Sequence, residues 1–165
     1  MRAIVACGAN TATGEARAYA SDDGCQLLFA DGANWAGTVV GDENVSFTNR
    51  TDGARPASAT FGAVRFEGDM PVRVWRAGAA RTNDFIRMSG ALSGTGGFAP
   101  VTMDGEPVFG DSYTIGSMPL AAGVAPDVAA YAGKDWKLTA IPAGDGETAL
   151  LRIRYAPKGT ALFIR

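Results

Sequence analysis

The chain is a succession of short apolar runs separated by residues that favour tight turns. Asp/Gly dipeptides interrupt it at eight places. They are Asp23-Gly24, Asp31-Gly32, Gly41-Asp42, Asp52-Gly53, Gly68-Asp69, Asp104-Gly105, Gly110-Asp111 and Asp145-Gly146. Glycine reaches positive φ without a steric penalty, and aspartate hydrogen-bonds its own backbone, so each pair is typical of a tight turn. Short β-rich runs between such turns predict hairpins, and therefore an all-β fold.

Two of these runs, 71–77 and 149–155, alternate most regularly between apolar and polar positions. In each, aliphatic side chains occupy one face of the predicted strand, and larger polar or aromatic side chains occupy the other. The residues on the second face include Arg73, Trp75, Arg152 and Arg154. An outward tryptophan beside an arginine suits a protein interface or a ligand platform, with burial in the core as the alternative for Trp75. These four residues are the predicted interface candidates.

The strand pattern is interrupted at two places. In the run 59–66, Phe61 lies on one face whereas Val64 and Phe66 lie on the other, which predicts a β-bulge at Gly62. Only the stretch 120–133 has a helical pattern, which predicts at most one short helix near 126–132. With a dozen short strands, the chain is predicted to form a single β domain over residues 1–165, an antiparallel sandwich of jelly-roll-like type.

Histidine is absent from the sequence, and the chain contains two cysteines, Cys7 and Cys25. The absence of histidine excludes Ser-His-Asp and Cys-His catalysis and histidine metal ligands. Two cysteines without histidine cannot build an ordinary zinc site. We therefore predict no catalytic residues, no cofactor and no metal. The cysteines either pair as a disulfide or remain two buried thiols, and the sequence leaves both open.

Carboxylate, tyrosine and Ser-Lys mechanisms do not need histidine, and of these the carboxylates form a recurring pattern. Three acid-Gly-acid triplets occur, Glu67-Gly68-Asp69, Asp104-Gly105-Glu106 and Asp145-Gly146-Glu147. Paired carboxylates can hydrolyse glycosides or bind calcium. Each triplet also contains one of the Asp/Gly dipeptides, so solvated turn tips are the preferred interpretation.

Charge and hydropathy restrict the partners. The formal net charge is −2 and no basic block is present, so nucleic-acid binding is not expected. No apolar run approaches the roughly 20 residues of a membrane-spanning helix, so no membrane association is expected. The excess of Ala, Gly and Asp, and of Arg over Lys, is typical of a GC-rich coding genome.

These observations predict a non-enzymatic structural protein of a larger assembly. The specific hypothesis is a bacteriophage virion component, such as a capsid decoration or cement protein or a head–tail accessory protein. Its partners are then capsid or tail proteins or copies of itself, with a cytoplasmic or secreted bacterial location as the alternative. A carbohydrate- or receptor-binding β-module, which needs a second exposed aromatic near Trp75, is the first alternative function. A carboxylate-dependent hydrolase, which needs two carboxylates about 5–10 Å apart in one cleft, is the second.

Overall fold

The structure, a computed structural model, describes residues 2–5, 14–18, 26–49, 54–76 and 81–157. Within these ranges it contains fourteen β-strands and one short 3-10 turn, which confirms the predicted all-β character. The strands are β1 (Arg2–Val5), β2 (Glu15–Ala16), β3 (Gln26–Ala30), β4 (Ala33–Gly41), β5 (Val45–Thr48), β6 (Ser58–Phe66), β7 (Asp69–Trp75), β8 (Thr82–Asn83), β9 (Phe85–Met88), β10 (Leu92–Gly94), β11 (Gly97–Thr102), β12 (Ser112–Pro119), β13 (Trp136–Pro142) and β14 (Thr148–Tyr155).

The strands pair mainly in parallel, which corrects the predicted antiparallel sandwich or jelly roll. Among the described residues, eight pairings are parallel and three are antiparallel. Consecutive strands mostly belong to different sheets: β3 pairs with β5, β4 with β6, and β7 with β11. The backbone therefore winds as a solenoid-like stack. Successive strands mostly alternate between two layers of β-sheet, which we call the first and second walls, and one passage through both walls is one coil.

Each wall is built from alternate strands. The first wall contains β2, β4, β6, β9 and β12, and at its end β14 and β13 join it as antiparallel strands. The second wall contains the sheet β1-β3-β5 and the pair β7-β11, with β5 lying against β7. Among the named strands of the described residues, antiparallel pairing, which the sequence predicted throughout, is confined to the C-terminal end of the stack and to the β7–β8 pair.

Three Asp/Gly dipeptides, Asp31-Gly32, Gly41-Asp42 and Gly68-Asp69, form corners between the walls, whereas Asp145-Gly146 forms the tip of the β13–β14 hairpin. Asp31-Gly32 connects β3 in the second wall to β4 in the first, with Gly32 at φ 78°. The Asp31 carboxylate accepts the backbone N–H of Ser58, one coil later, at 2.8 Å, and the Gly32 N–H donates to the Ser58 carbonyl at 2.7 Å. A corner and a hairpin require the same turn residues, so the turn chemistry was correctly predicted while the topology was not.

The core lies between the walls and is built around phenylalanines. Phe29 and Phe47 from the second wall meet Phe61 from the first, with the Phe29 and Phe61 ring centroids 4.6 Å apart. Further along the stack, Phe66 and Phe98 pack edge to face at 5.0 Å. Burying each such side chain stabilises the fold by about 1.5–3 kcal/mol, so contacts between the walls hold the coils together.

A β-bulge lies where the sequence predicted it. Trp35 pairs with Phe61 and Thr38 with Ala63, so Ala36 and Gly37 together stand opposite Gly62. The extra residue therefore belongs to β4, and Gly62 is the single residue that faces it. Burial changes phase at this point, since Phe61 is buried before Gly62 and Val64 and Phe66 after it.

Replacing Gly62 with alanine is expected to lower the free energy of unfolding by about 1–3 kcal/mol. A Cβ atom at this position would lie 2.0 Å from the carbonyl oxygen of Ala36, a backbone atom that cannot move independently of β4. Urea unfolding of the variant measures the loss. Gly14→Ala is the matched control, because a Cβ atom there would have no heavy atom within 4 Å apart from those of its chain neighbours. Equal stability of the two variants contradicts the bulge geometry.

The predicted helix near 126–132 is reduced to a 3-10 turn at Ala129–Tyr131. Two features prevent a longer helix. Ala121 and Val124 bond each other's backbone in a tight turn, and Gly133 donates its N–H to Phe98 of β11 at 2.8 Å. Across the described residues, no helix has the length and apolar character needed to cross a membrane. Cys7 and Cys25 lie outside the described residues.

Candidate functional site

Arg73, the first predicted interface residue, forms an ion pair with a fully buried carboxylate. Its Nε and Nη2 atoms donate to Oδ2 and Oδ1 of Asp84 at 2.9 and 2.8 Å. The same carboxylate accepts the backbone N–H groups of Arg73 and Ala57 at 3.0 and 2.8 Å. Only 15% of the Arg73 side chain remains exposed. The ion pair therefore links β7 to Asp84, just before β9, and to Ala57, just before β6. Little of the Arg73 side chain is left exposed to contact a partner.

Trp75 lies half-buried on the outer face of β7. The Arg73 guanidinium carbon stands 5.1 Å from the centroid of its ring system and covers part of it. On the neighbouring strand β11, Val101 pairs with Arg73. Val101 and Met103, which follows β11, are each 44% exposed. The predicted Arg73–Trp75 face is therefore continued by apolar residues that were not among the predicted candidates.

Arg152 and Arg154, the other two candidates, are exposed on the outer face of β14. Lys137 of β13 lies directly opposite Arg154, and Thr139 directly opposite Arg152. The guanidinium of Arg154 stands 5.7 Å from the ring centroid of Phe109. The alternation predicted for this strand is confirmed, since Leu151 and Ile153 are fully buried.

One exposed segment connects the two pairs of candidates. It runs from the end of β11 to the start of β12 and carries four large apolar side chains that are 44–51% exposed: Val101, Met103, Val108 and Phe109. We refer to these four residues as the apolar segment. The alternation Val101-Thr102-Met103 and the pair Val108-Phe109 look like pieces of strand in the sequence, where apolar residues are expected to be buried, so no local signal marks the segment as exposed.

The apolar segment is held in place by a buried charge cluster. Asp111 is 2% exposed and pairs with Arg76 Nε at 2.8 Å and Arg81 Nη2 at 2.7 Å. Its Oδ2 also accepts the backbone N–H of Val108 at 2.8 Å. On the other side of the loop, Asp104 accepts the backbone N–H of Arg76 at 2.7 Å. The loop is thus anchored on both sides of Glu106, whose carbonyl accepts from Arg76 Nη1.

Tyr113 borders this cluster on the inner face of β12. Its side chain is 3% exposed, and its hydroxyl has no hydrogen-bond partner among the described residues. Burial, and secondly the negative charge of Asp111, raises the pKa of the Tyr113 hydroxyl above its ordinary value. The phenol therefore stays neutral and acts as part of the core.

The acid-Gly-acid triplets mostly serve local structure. Asp145 accepts the backbone N–H groups of Glu147 and Thr148 at 2.9 and 2.7 Å. These hydrogen bonds lower the pKa of the Asp145 carboxyl, and the one from the Glu147 backbone has the largest effect. Glu67 pairs with Arg17 and Arg65. Asp145 thus has the turn role that the sequence proposed, whereas Glu67 serves as an ion-pair partner that the sequence did not indicate.

Three surface cavities stand out in the described part of the chain. The first, of about 250 Å³, is lined by residues 89–91 and 118–121 with Pro126 and contains no carboxylate. The second contains Asp135, and the third contains Glu147 beside Arg87. None of these three brings two carboxylates together. Within the same residues, no group of three or more Cys, Asp or Glu side chains is placed to hold a metal ion.

Comparison with protein-family models, with curated proteins and with solved structures gives no significant match. The geometry of the chain itself therefore has to support any functional assignment.

Proposed function

We propose that this protein is a structural component of a larger assembly and that copies of the chain associate through the apolar segment. The observation that supports this proposal is the exposure of Val101, Met103, Val108 and Phe109 on one continuous stretch of backbone. Clusters of exposed large apolar residues are typical of surfaces that bind other proteins. The further hypothesis of a bacteriophage particle rests on the sequence composition and stays a prediction.

The anchoring of the segment supports an interface role. Ordering a mobile loop on association costs free energy, and a loop that is already ordered avoids that cost. Asp111 and Asp104 tie the loop to Arg76, Arg81 and the Val108 backbone before any partner arrives. Self-association is the simplest partner choice, because a two-fold interface needs only one patch that is present on both copies.

The two alternative functions have less support from the geometry. A carbohydrate platform centred on Trp75 needs a free ring face, and Arg73 covers part of that ring. A carboxylate-dependent hydrolase needs a close pair of acids in one cleft. The two fully or nearly buried acids, Asp84 and Asp111, are both engaged by arginines.

Sedimentation velocity over a range of protein concentrations tests the proposal. The wild type is expected to associate with increasing concentration, whereas Met103→Gln combined with Val108→Thr is expected to remain monomeric. Val124→Thr is the matched control, because Val124 is 67% exposed yet lies outside the apolar segment. Its association should equal that of the wild type. A wild type that is a monodisperse monomer at every concentration overturns the proposal.

A further inference from the structure

The outer face of the first wall carries four cations at the C-terminal end of the stack. They are Arg87, Lys137, Arg152 and Arg154, and we refer to them as the basic face. Burial alternates along all three strands that carry them, with Ile86, Leu138 and Ile153 buried between the exposed positions. Strand pairing places them on the same side, because β14 pairs with both β13 and β12, and β12 pairs with β9.

Three cations of the basic face, Lys137, Arg152 and Arg154, lie on adjacent positions of β13 and β14. Lys137 and Arg154 are directly opposite each other on antiparallel strands, where side chains are about 5 Å apart. Arg152 lies two residues from Arg154 on the same strand, or about 7 Å. None of the four side chains makes an ion pair with the residues that the structure describes. Like charges placed this way destabilise a sheet, so the arrangement calls for an external anion.

The other end of the same wall provides an internal contrast. Arg65 of β6 is only partly exposed there, and it is neutralised by Glu15 and Glu67. Hydrogen bonds to these carboxylates raise the pKa of Arg65, and the one to Glu15 has the largest effect. Among the described residues, Arg65 therefore has carboxylate partners at one end of the wall, whereas Lys137, Arg152 and Arg154 form no ion pair at the other.

Aromatic rings hold two of the arginines in place. Arg87 lies 5.0 Å from the ring centroid of Phe85, and Arg154 lies 5.7 Å from that of Phe109. Stacking on a ring restrains the guanidinium group and does not consume its N–H donors. Those donors remain available for the bidentate hydrogen bonds that guanidinium makes with carboxylate or sulfate groups.

Hydroxyl groups occupy the positions between the cations. Thr114 pairs with Arg152 and Ser112 with Arg154 on β12, and Thr139 faces Arg152 from β13. The described surface around these cations is thus polar, and its side chains project from the strands of a β-sheet. It presents both charge-assisted donors and neutral groups that can donate or accept.

From this arrangement we propose that the basic face binds an acidic polysaccharide, a sugar polymer that bears carboxylate or sulfate groups. The guanidinium and ammonium groups would form ion pairs with the anionic substituents, and the serine and threonine hydroxyls would hydrogen-bond the sugar hydroxyls. The basic face contains none of the four residues of the apolar segment, although Arg154 lies against Phe109 of that segment.

Other polyanions fit this surface less well. The buried centre of a protein–protein interface is depleted of charged residues, whereas charges occupy the centre of this face. Single-stranded nucleic acid requires open aromatic faces for its bases. Here Phe85 and Phe109 are each partly covered by an arginine.

Isothermal titration calorimetry tests the proposal with defined polymers. The probes are polygalacturonate, dextran sulfate, uncharged dextran, polyglutamate and a single-stranded oligodeoxynucleotide, each at low and high NaCl. We expect polygalacturonate or dextran sulfate to bind more tightly than polyglutamate and the oligonucleotide, and uncharged dextran not to bind. Comparison of the first two polymers identifies the preferred anionic group. Added salt should weaken binding.

Variants locate the site. Arg152→Gln is expected to reduce the affinity for the preferred polysaccharide about tenfold, equivalent to the loss of one charge-assisted contact worth about 1.4 kcal/mol. The double variant Arg152→Gln with Lys137→Gln should bind the polysaccharide more weakly still. Arg65→Gln is the control, because this partly exposed arginine is already neutralised, and it should bind as the wild type does. The proposal is overturned if no polysaccharide binds, if polyglutamate or the oligonucleotide binds as tightly, or if Arg152→Gln has no effect.

Discussion

Replacing Asp84 with alanine is expected to lower the free energy of unfolding by about 3–5 kcal/mol, the largest effect that we expect of a single substitution. The Asp84 carboxylate is fully buried and accepts hydrogen bonds from the Arg73 guanidinium and from the backbone N–H groups of Arg73 and Ala57. Its removal leaves a mostly buried guanidinium and two backbone donors without their acceptor. Urea unfolding at neutral pH measures the loss.

Two further variants separate this ion pair from general effects. Asp69→Ala removes an exposed carboxylate at the start of the same strand β7, and it should change stability by no more than about 0.5 kcal/mol. The double variant Arg73→Met with Asp84→Leu removes both charges and should recover part of the stability lost by Asp84→Ala. A loss below about 1 kcal/mol for Asp84→Ala contradicts the buried ion pair.

Replacing Asp111 with alanine is expected to lower the free energy of unfolding by about 3 kcal/mol and also to weaken self-association. Asp111 holds Arg76, Arg81 and the Val108 N–H, so its loss releases the loop that presents Val108 and Phe109. The stability cost is smaller than at Asp84 because the arginine partners are 32% and 43% exposed and can be solvated by water.

Hydrogen exchange and sedimentation measure the two consequences separately. Backbone amides of residues 103–110 should exchange faster in Asp111→Ala, and association should weaken although all four residues of the apolar segment remain. Asp127→Ala is the control, because this exposed carboxylate caps only the Ala129 N–H at 3.0 Å. Unchanged exchange and unchanged association in Asp111→Ala contradict the anchoring role.

Sequence and structure agree best where the prediction depended on local chemistry. The alternation of Leu151 and Ile153 with Arg152 and Arg154 predicted which face of β14 is buried, because successive side chains of a strand point to opposite faces. The phase change at Gly62 predicted the bulge for the same reason. Such patterns depend on the backbone of one or two strands, and no knowledge of more distant neighbours is required.

Predictions that depended on distant neighbours were incomplete. Arg73 was placed on an outward face, yet its guanidinium turns back to Asp84, eleven residues later in the chain and brought near by the stacking of coils. Nothing in the alternation of β7 indicates this partner. The apolar segment was likewise missed, because Val108 and Phe109 look like strand residues until the loop around them is placed at the surface.

The sequence by itself determined that this protein is built from β-strands and turns, that it has no histidine chemistry, and which faces of its alternating strands are apolar. Only the tertiary structure decided that the turns at Asp31-Gly32, Gly41-Asp42 and Gly68-Asp69 are corners of a solenoid-like stack. An Asp/Gly corner satisfies the same φ and hydrogen-bond requirements as a hairpin, so local residues cannot distinguish them. Burial of the phenylalanine core between the two walls selects the stacked arrangement. That arrangement also aligns the uncompensated cations of the basic face.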